Sequence, residues 1–127
     1  MKLAIMQPYF LPYIGYFQLI NSVDKFVVYD DVNFIKKGWI NRNNILLSGN
    51  PHLFTLPISR VSQNKNIKEL ELANNSVWQR KFFSMLALAY AKAPFYESVK
   101  ELLDRIIYYQ SRSATDYITH SIKKVCC

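Results

Sequence analysis

Cysteine is nearly absent from this chain. The two that occur, Cys126 and Cys127, are neighbours, and adjacent cysteines close a disulfide only with strain. Without a disulfide framework the expected compartment is a reducing one, the cytoplasm. Glycine is also scarce, limited to Gly15, Gly38 and Gly49. There is no Gly-rich phosphate or dinucleotide turn, and no Ser-His-Asp order. His52 and His120 stand alone, so a metal triad is not supported. No apolar run approaches the ~18 residues of a membrane span. The short run after Lys2 is cut by Gln7 and Pro8, unlike a signal peptide. Sixteen Lys and Arg against nine Asp and Glu give a net charge of +7. These cations are scattered, with no zinc finger, RNA-binding aromatic motif or basic arm, so nucleic acid is not an expected partner.

Aromatic residues are abundant, with nine Tyr, eight Phe and two Trp. The run Leu3–Met6 reads as a buried strand and Phe26–Tyr29 as a second, with a short helix over Tyr16–Ile20 between them. A strand, helix and strand this close together predict a parallel pair. Asn43–Leu47 and Leu53–Ile58 read as strands joined across the turn cluster Ser48–Pro51, and Ile67–Leu72 as a short edge strand. Helical spacing then takes over. One helix carries Trp78, Phe82, Met85 and Ala89 behind a cap at Asn74 or Asn75. After Ala93-Pro94 a second carries Phe95, Val99, Leu102, Leu103, Ile106, Ile107 and Gln110. Ser113 and Asp116 open a third, with the stripe Tyr117, Ile118, Ile122 and Val125. The expected fold is one α/β domain over residues 1–127. A short, mostly parallel Rossmann-like sheet with additional strands (1–73) is flanked by helices and followed by a helical half (74–127). The last helix has no stop signal and its apolar stripe needs a cover, so a homo-oligomer through the C-terminal helices is one expectation.

Functional loops of open α/β sheets lie at the carboxyl ends of strands, which singles out three segments. In the first, Gln7, Tyr9, Tyr13 and Tyr16 sit in a Pro-rich loop, where rings with polar tips serve either binding or packing. In the second, Asp30, Asp31 and Asn33 follow a strand. Carboxylates there suit a base or a Mg²⁺ ion shared with substrate phosphates, and equally a solvated turn. In the third, Lys36, Lys37, Trp39, Asn41 and Arg42 combine cations, amides and an indole. Arg grips phosphate through paired bonds and Trp stacks on a ring, although a basic surface loop with an anchoring Trp has the same composition.

Three blocks carry a resemblance: Gln-Pro-Tyr-Phe-Leu-Pro-Tyr-Ile-Gly-Tyr-Phe-Gln-Leu-Ile from Gln7, Asp-Lys-Phe-Val-Val-Tyr-Asp-Asp-Val from Asp24, and Gly-Trp-Ile-Asn-Arg-Asn from Gly38. Together they resemble the WbqC-like family, most densely from Lys2 to Pro57. The resemblance implies a role in bacterial O-antigen or other surface-polysaccharide synthesis. It also implies a longer protein, of which this chain matches the N-terminal portion. A fainter similarity is to Rossmann-like nucleotidyltransferases, which carry a His-x-x-His motif after the first strand. Tyr13 and Tyr16 stand at that place, and tyrosine brings no positive charge near neutral pH.

These readings converge on a transferase, or a fragment of one, that uses a phosphate-bearing activated donor such as a nucleotide-activated sugar. Lys36, Lys37 and Arg42 are the expected anion grip. Asp30 or Asp31 is the expected base or Mg²⁺ ligand, and Gln7, Tyr9, Tyr13, Tyr16, Asn33, Trp39 and Asn41 are the expected positioning groups. The alternative is a non-catalytic module that binds a glycan, a nucleotide or a protein. Both readings require the tyrosine-rich loop and the Trp39 segment to share one hollow.

Overall fold

Two short apolar runs pair in parallel, as expected, but they are not the buried strands their composition suggested, since Leu3, Ile5 and Val27 are exposed. These are β1 (Leu3–Met6) and β2 (Lys25–Val28), in register from Leu3 opposite Lys25 to Met6 opposite Val28. Helix α1 (Ile14–Ser22) connects them and turns Tyr16 fully inward, with Phe17 and Ile20 half-buried beside it. The structure, a computed structural model, describes residues 1–35, 38–59, 65–73 and 75–126.

A hairpin follows, made of β3 (Arg42–Leu47) and β4 (Asn50–Thr55). Its two-residue connection has φ of 51° at Ser48 and 80° at Gly49. A tight hairpin of this kind needs left-handed values at both positions, which glycine adopts freely. Next come β5 (Ile58–Ser59) and β6 (Glu71–Leu72), an antiparallel pair of two residues each. The edge strand expected over Ile67–Leu72 is mostly replaced by a 3-10 turn at Ile67–Glu69. Ile67 and Leu70 are both buried, and their spacing of three suits a helical turn rather than strand alternation.

The helical half forms the three expected helices. Helix α2 (Ser76–Tyr90) starts where Asn75 Oδ1 accepts from the Trp78 N–H at 3.0 Å. Helix α3 (Tyr96–Ile107) begins beyond Pro94 and buries Leu103, Ile106 and Ile107. Phe95 and Val99, counted in the expected stripe, are exposed, and Gln110 lies past the helix end. Helix α4 (Ala114–Cys126) is opened by Ser113 Oγ, which accepts from the Asp116 N–H at 3.2 Å.

Two expectations need correction. The described residues do not form one mostly parallel, Rossmann-like sheet. They form three separate two-stranded pairs, one parallel and two antiparallel. The fold is mixed α/β, with each described strand paired to a neighbour in sequence order. The Ser48–Gly49 turn folds β3 directly onto β4, and this hairpin stands apart from the β1–β2 pair. The second correction concerns α4. Its stripe of Ala114, Tyr117, Ile118 and Ile122 is already buried by the chain itself, against α3 and the 3-10 turn. Only Val125 at its end remains exposed, so the argument for self-association through α4 falls away.

The core is knit by rings. Phe10, in the loop after β1, meets Phe54 of β4 edge-on at 6.2 Å and Tyr117 of α4 at 5.9 Å. Phe54 in turn meets Phe82 of α2 at 5.7 Å. The loop is thereby anchored to both the hairpin and the helices.

Candidate functional site

The loop between β1 and α1 is held from several directions. The Phe10 N–H donates to the Ile40 carbonyl at 2.8 Å. Asn43 Nδ2 donates to the Leu11 carbonyl at 2.7 Å, tying β3 to the loop. Tyr16 Oη donates to the Gln7 carbonyl at 2.8 Å, closing the loop from the α1 side. Burial pushes the Tyr16 phenol well above its ordinary range, and the nearby Tyr9 adds to this, so Tyr16 acts as a neutral donor. Leu11 has a φ of 46°. A bulky residue rarely occupies that left-handed region, where it costs of order 1–3 kcal/mol and persists only if its surroundings impose it.

So fixed, the loop faces the segment before β3 across a pocket of about 260 Å³. Among the described residues the lining is Tyr9, Pro12, Tyr13, Trp39 and Asn43. The two stretches expected to share a hollow do share one. Arg42 stands beside it, with its guanidinium 5.5 Å from the centre of the Trp39 ring. Its Nε donates to the Gly38 carbonyl at 3.1 Å. The polar capacity of Asn43 is largely spent, since Oδ1 accepts from the Asn44 N–H at 2.8 Å while Nδ2 serves Leu11. The pocket is therefore suited to hold a ring by its faces, not to read its edges. Its volume lies below the ~300–1,000 Å³ of drug-sized sites, so it has room for one sugar or base ring.

Tyr13 and Tyr16, equivalent in the sequence pattern, part ways. Tyr13 precedes α1 and points out, forming a pocket wall, while Tyr16 belongs to the core. Gly15 lies against the Tyr13 ring so closely that a Cβ there would overlap it.

The other expected site residues do not line this pocket. Gln7 offers its carbonyl to Tyr16. Asn41 is buried and donates from Nδ2 to the Leu56 carbonyl at 3.0 Å. Asn33 bridges to Asn66. Asp31 Oδ1 is engaged by Lys68 Nζ at 3.0 Å and Asn66 Nδ2 at 3.1 Å. That hydrogen bond and the Asp31 charge hold the Lys68 ammonium above its ordinary pKa. Asp30 is half-buried, and its carbonyl accepts from the Lys68 N–H at 3.0 Å. Lys36 and Lys37 lie outside the described residues. Pro12 and Asn43 lie in the two stretches to which the sequence pointed, but it did not single them out as site residues. Pro12 offered only its fixed φ as a signal, and Asn43 only its place in an amide-rich run.

The profile of the WbqC-like protein family matches residues 7–127. An uncharacterized protein of Mycobacterium tuberculosis, Rv1507c, is 28% identical over 127 residues, covering 99% of this chain and 54% of that protein. The chain thus spans about half the length of the curated relative it matches. No solved structure matches.

Proposed function

Because the chain belongs to the WbqC-like protein family, we propose that it acts in bacterial surface-polysaccharide synthesis, as a transferase that binds a nucleotide-activated sugar. The observation that carries this reading is the shared pocket of Tyr9, Pro12, Tyr13 and Trp39 with Arg42 at its side. Stacked rings grip the apolar face of a sugar or the face of a base. A guanidinium beside them supplies a paired, charge-assisted contact for phosphate. Lys36 and Lys37 precede Trp39 in sequence and add positive charge to the same segment. For transfer itself, Asp30, although outside the pocket lining, is the better candidate base of the two carboxylates, since Asp31 is ion-paired with Lys68.

Calorimetric titration with a panel of nucleoside-diphosphate sugars tests this. At least one should bind, and Trp39→Ala should weaken it by roughly tenfold or more, because ring stacking is worth about 1–3 kcal/mol. No binding across the panel, or equal binding by the variant, refutes the reading.

One observation favours the second reading, a binding module without turnover: no carboxylate lines the pocket among the described residues. Tight binding with no product from any donor and acceptor pair would select it.

A further inference from the structure

Each aromatic wall of the pocket beside Trp39 is backed on one side. Tyr9 leans on the buried Tyr16, with ring centres 5.6 Å apart. Trp39 carries the Arg42 guanidinium over its ring at 5.5 Å. Tyr13 lies against Gly15, where a Cβ would overlap it. A ring supported on one side offers its other side in a settled orientation. Walls ordered before the ligand arrives lower the cost of binding.

Hydrogen bonds to a ligand are harder to find there. Among the described lining residues only Asn43 carries an amide side chain, and both ends of it are engaged, by the Asn44 N–H and the Leu11 carbonyl. The other polar tips are the Tyr9 and Tyr13 hydroxyls and the Trp39 indole N–H. Each lies in the plane of its own ring, out of reach of a ligand stacked on that ring's face. This decides between the two kinds of ring that a nucleotide sugar carries. A pyranose bears hydroxyls around its whole circumference, and each one buried without a partner costs roughly tenfold in affinity. A base gains roughly tenfold or more from stacking on an aromatic face. Its own donors and acceptors lie at the edge of a flat ring, where an open-mouthed pocket leaves them in water.

We propose that this pocket takes the nucleobase of the donor by its faces, accepts purines and pyrimidines alike, and leaves the sugar outside. The inference rests on the nucleotide-sugar reading above and deepens it. Tyr9, Tyr13 and Trp39 give the donor a grip that is indifferent to which base it bears. Every base has a face to stack, and preferences set by stacking alone are modest. Choice of the sugar then lies with residues outside this pocket.

The test is calorimetric titration of the 127-residue chain with UDP, CDP, ADP and GDP, with UDP-glucose and GDP-mannose, and with glucose 1-phosphate. The four nucleotides should bind within roughly tenfold of one another and of the two sugar conjugates. Glucose 1-phosphate should bind at least about tenfold more weakly than UDP-glucose. Trp39→Leu, which keeps apolar bulk but has no ring, should weaken every nucleotide by roughly tenfold. Trp39→Phe should keep most of the affinity, and both variants should keep the melting temperature, since Trp39 is half exposed. If glucose 1-phosphate binds as well as UDP-glucose, the pocket holds the sugar, and the proposal fails while the donor reading stands. A preference of about a hundredfold or more for one base means that its edge is read, which also overturns the proposal. Equal losses in Trp39→Leu and Trp39→Phe, or no loss in either, overturn it by removing stacking. If neither nucleotides nor sugar conjugates bind, the donor reading itself falls and takes this inference with it.

Discussion

Asn43 Nδ2 lies 2.7 Å from the Leu11 carbonyl oxygen, joining two residues thirty-two positions apart and fixing both walls of the pocket at once. The bond also satisfies a carbonyl whose residue is in a left-handed conformation. Asn43→Ala removes the donor and leaves the Leu11 carbonyl to water. Stability should fall by about 1–2 kcal/mol, within the range for a lost partly buried hydrogen bond. Ring-ligand affinity should fall with it, since the Pro12 and Tyr13 wall is no longer held. Chemical denaturation paired with calorimetry checks this, and a variant with both quantities intact would show that the tie is incidental.

Gly15→Ala should separate stability from binding. A methyl at Gly15 collides with the Tyr13 ring, but that ring is largely exposed and free to swing away. Alanine is also the better helix former, by up to about 1 kcal/mol. The melting temperature should hold or rise slightly, while ligand affinity drops several-fold as the wall moves. A large loss of stability would mean that the ring cannot move. Unchanged affinity would remove Tyr13 from the wall.

Tyr16 sets an alkaline limit. Its phenol is held protonated in the folded chain, chiefly by burial, against an ordinary value near 10. Below about pH 10 both states keep the proton and Tyr16 makes stability neither rise nor fall. Above it the unfolded chain releases a proton that the folded chain retains, so stability falls as pH rises toward the elevated folded value. Tyr16→Phe should cost about 1 kcal/mol at neutral pH, for the lost bond to Gln7. It should also decline less steeply above pH 10. Parallel stability curves for the two proteins would contradict this assignment.

Asn41 is a structural amide in a site-like segment. Asn41→Ala leaves the Leu56 carbonyl without its side-chain donor in a buried setting, at a cost of about 1–3 kcal/mol. The folded fraction should still bind ring ligands with near-native affinity, because Asn41 does not line the pocket. A selective loss of affinity, with the melting temperature unchanged, would return Asn41 to the site.

Much of the fold was legible because local rules dominate it. The apolar runs Leu3–Met6 and Phe26–Tyr29 announced a parallel pair, and the Ser48–Pro51 cluster announced a hairpin, although Asn50 and Pro51 belong to β4 and not to the turn. The α4 stripe of Tyr117, Ile118 and Ile122 declared a buried face, although not that α3 and the 3-10 turn would cover it. The sheet was misread because strand runs state that they pair, not with whom. In the site, Tyr9, Tyr13 and Trp39 were identified by composition. Tyr16 and Asn41 also carry polar tips, a hydroxyl and an amide, but theirs bond to the carbonyls of Gln7 and Leu56. No local pattern distinguishes a hydroxyl aimed at a ligand from one aimed at the backbone. The ion pair of Asp31 with Lys68 was hidden for a related reason: its partner arrives from a distant turn.

The ring of Phe10 touches one aromatic in the hairpin and another in the final helix. The loop holding Phe10 therefore waits for the helix holding Tyr117, and contacts of such wide sequence separation are slow to form. The tyrosine-bearing loop should consequently mature late in refolding. Far-ultraviolet dichroism should recover before Trp39 acquires its native emission, and a nascent chain that lacks α4 should carry helices but no competent pocket.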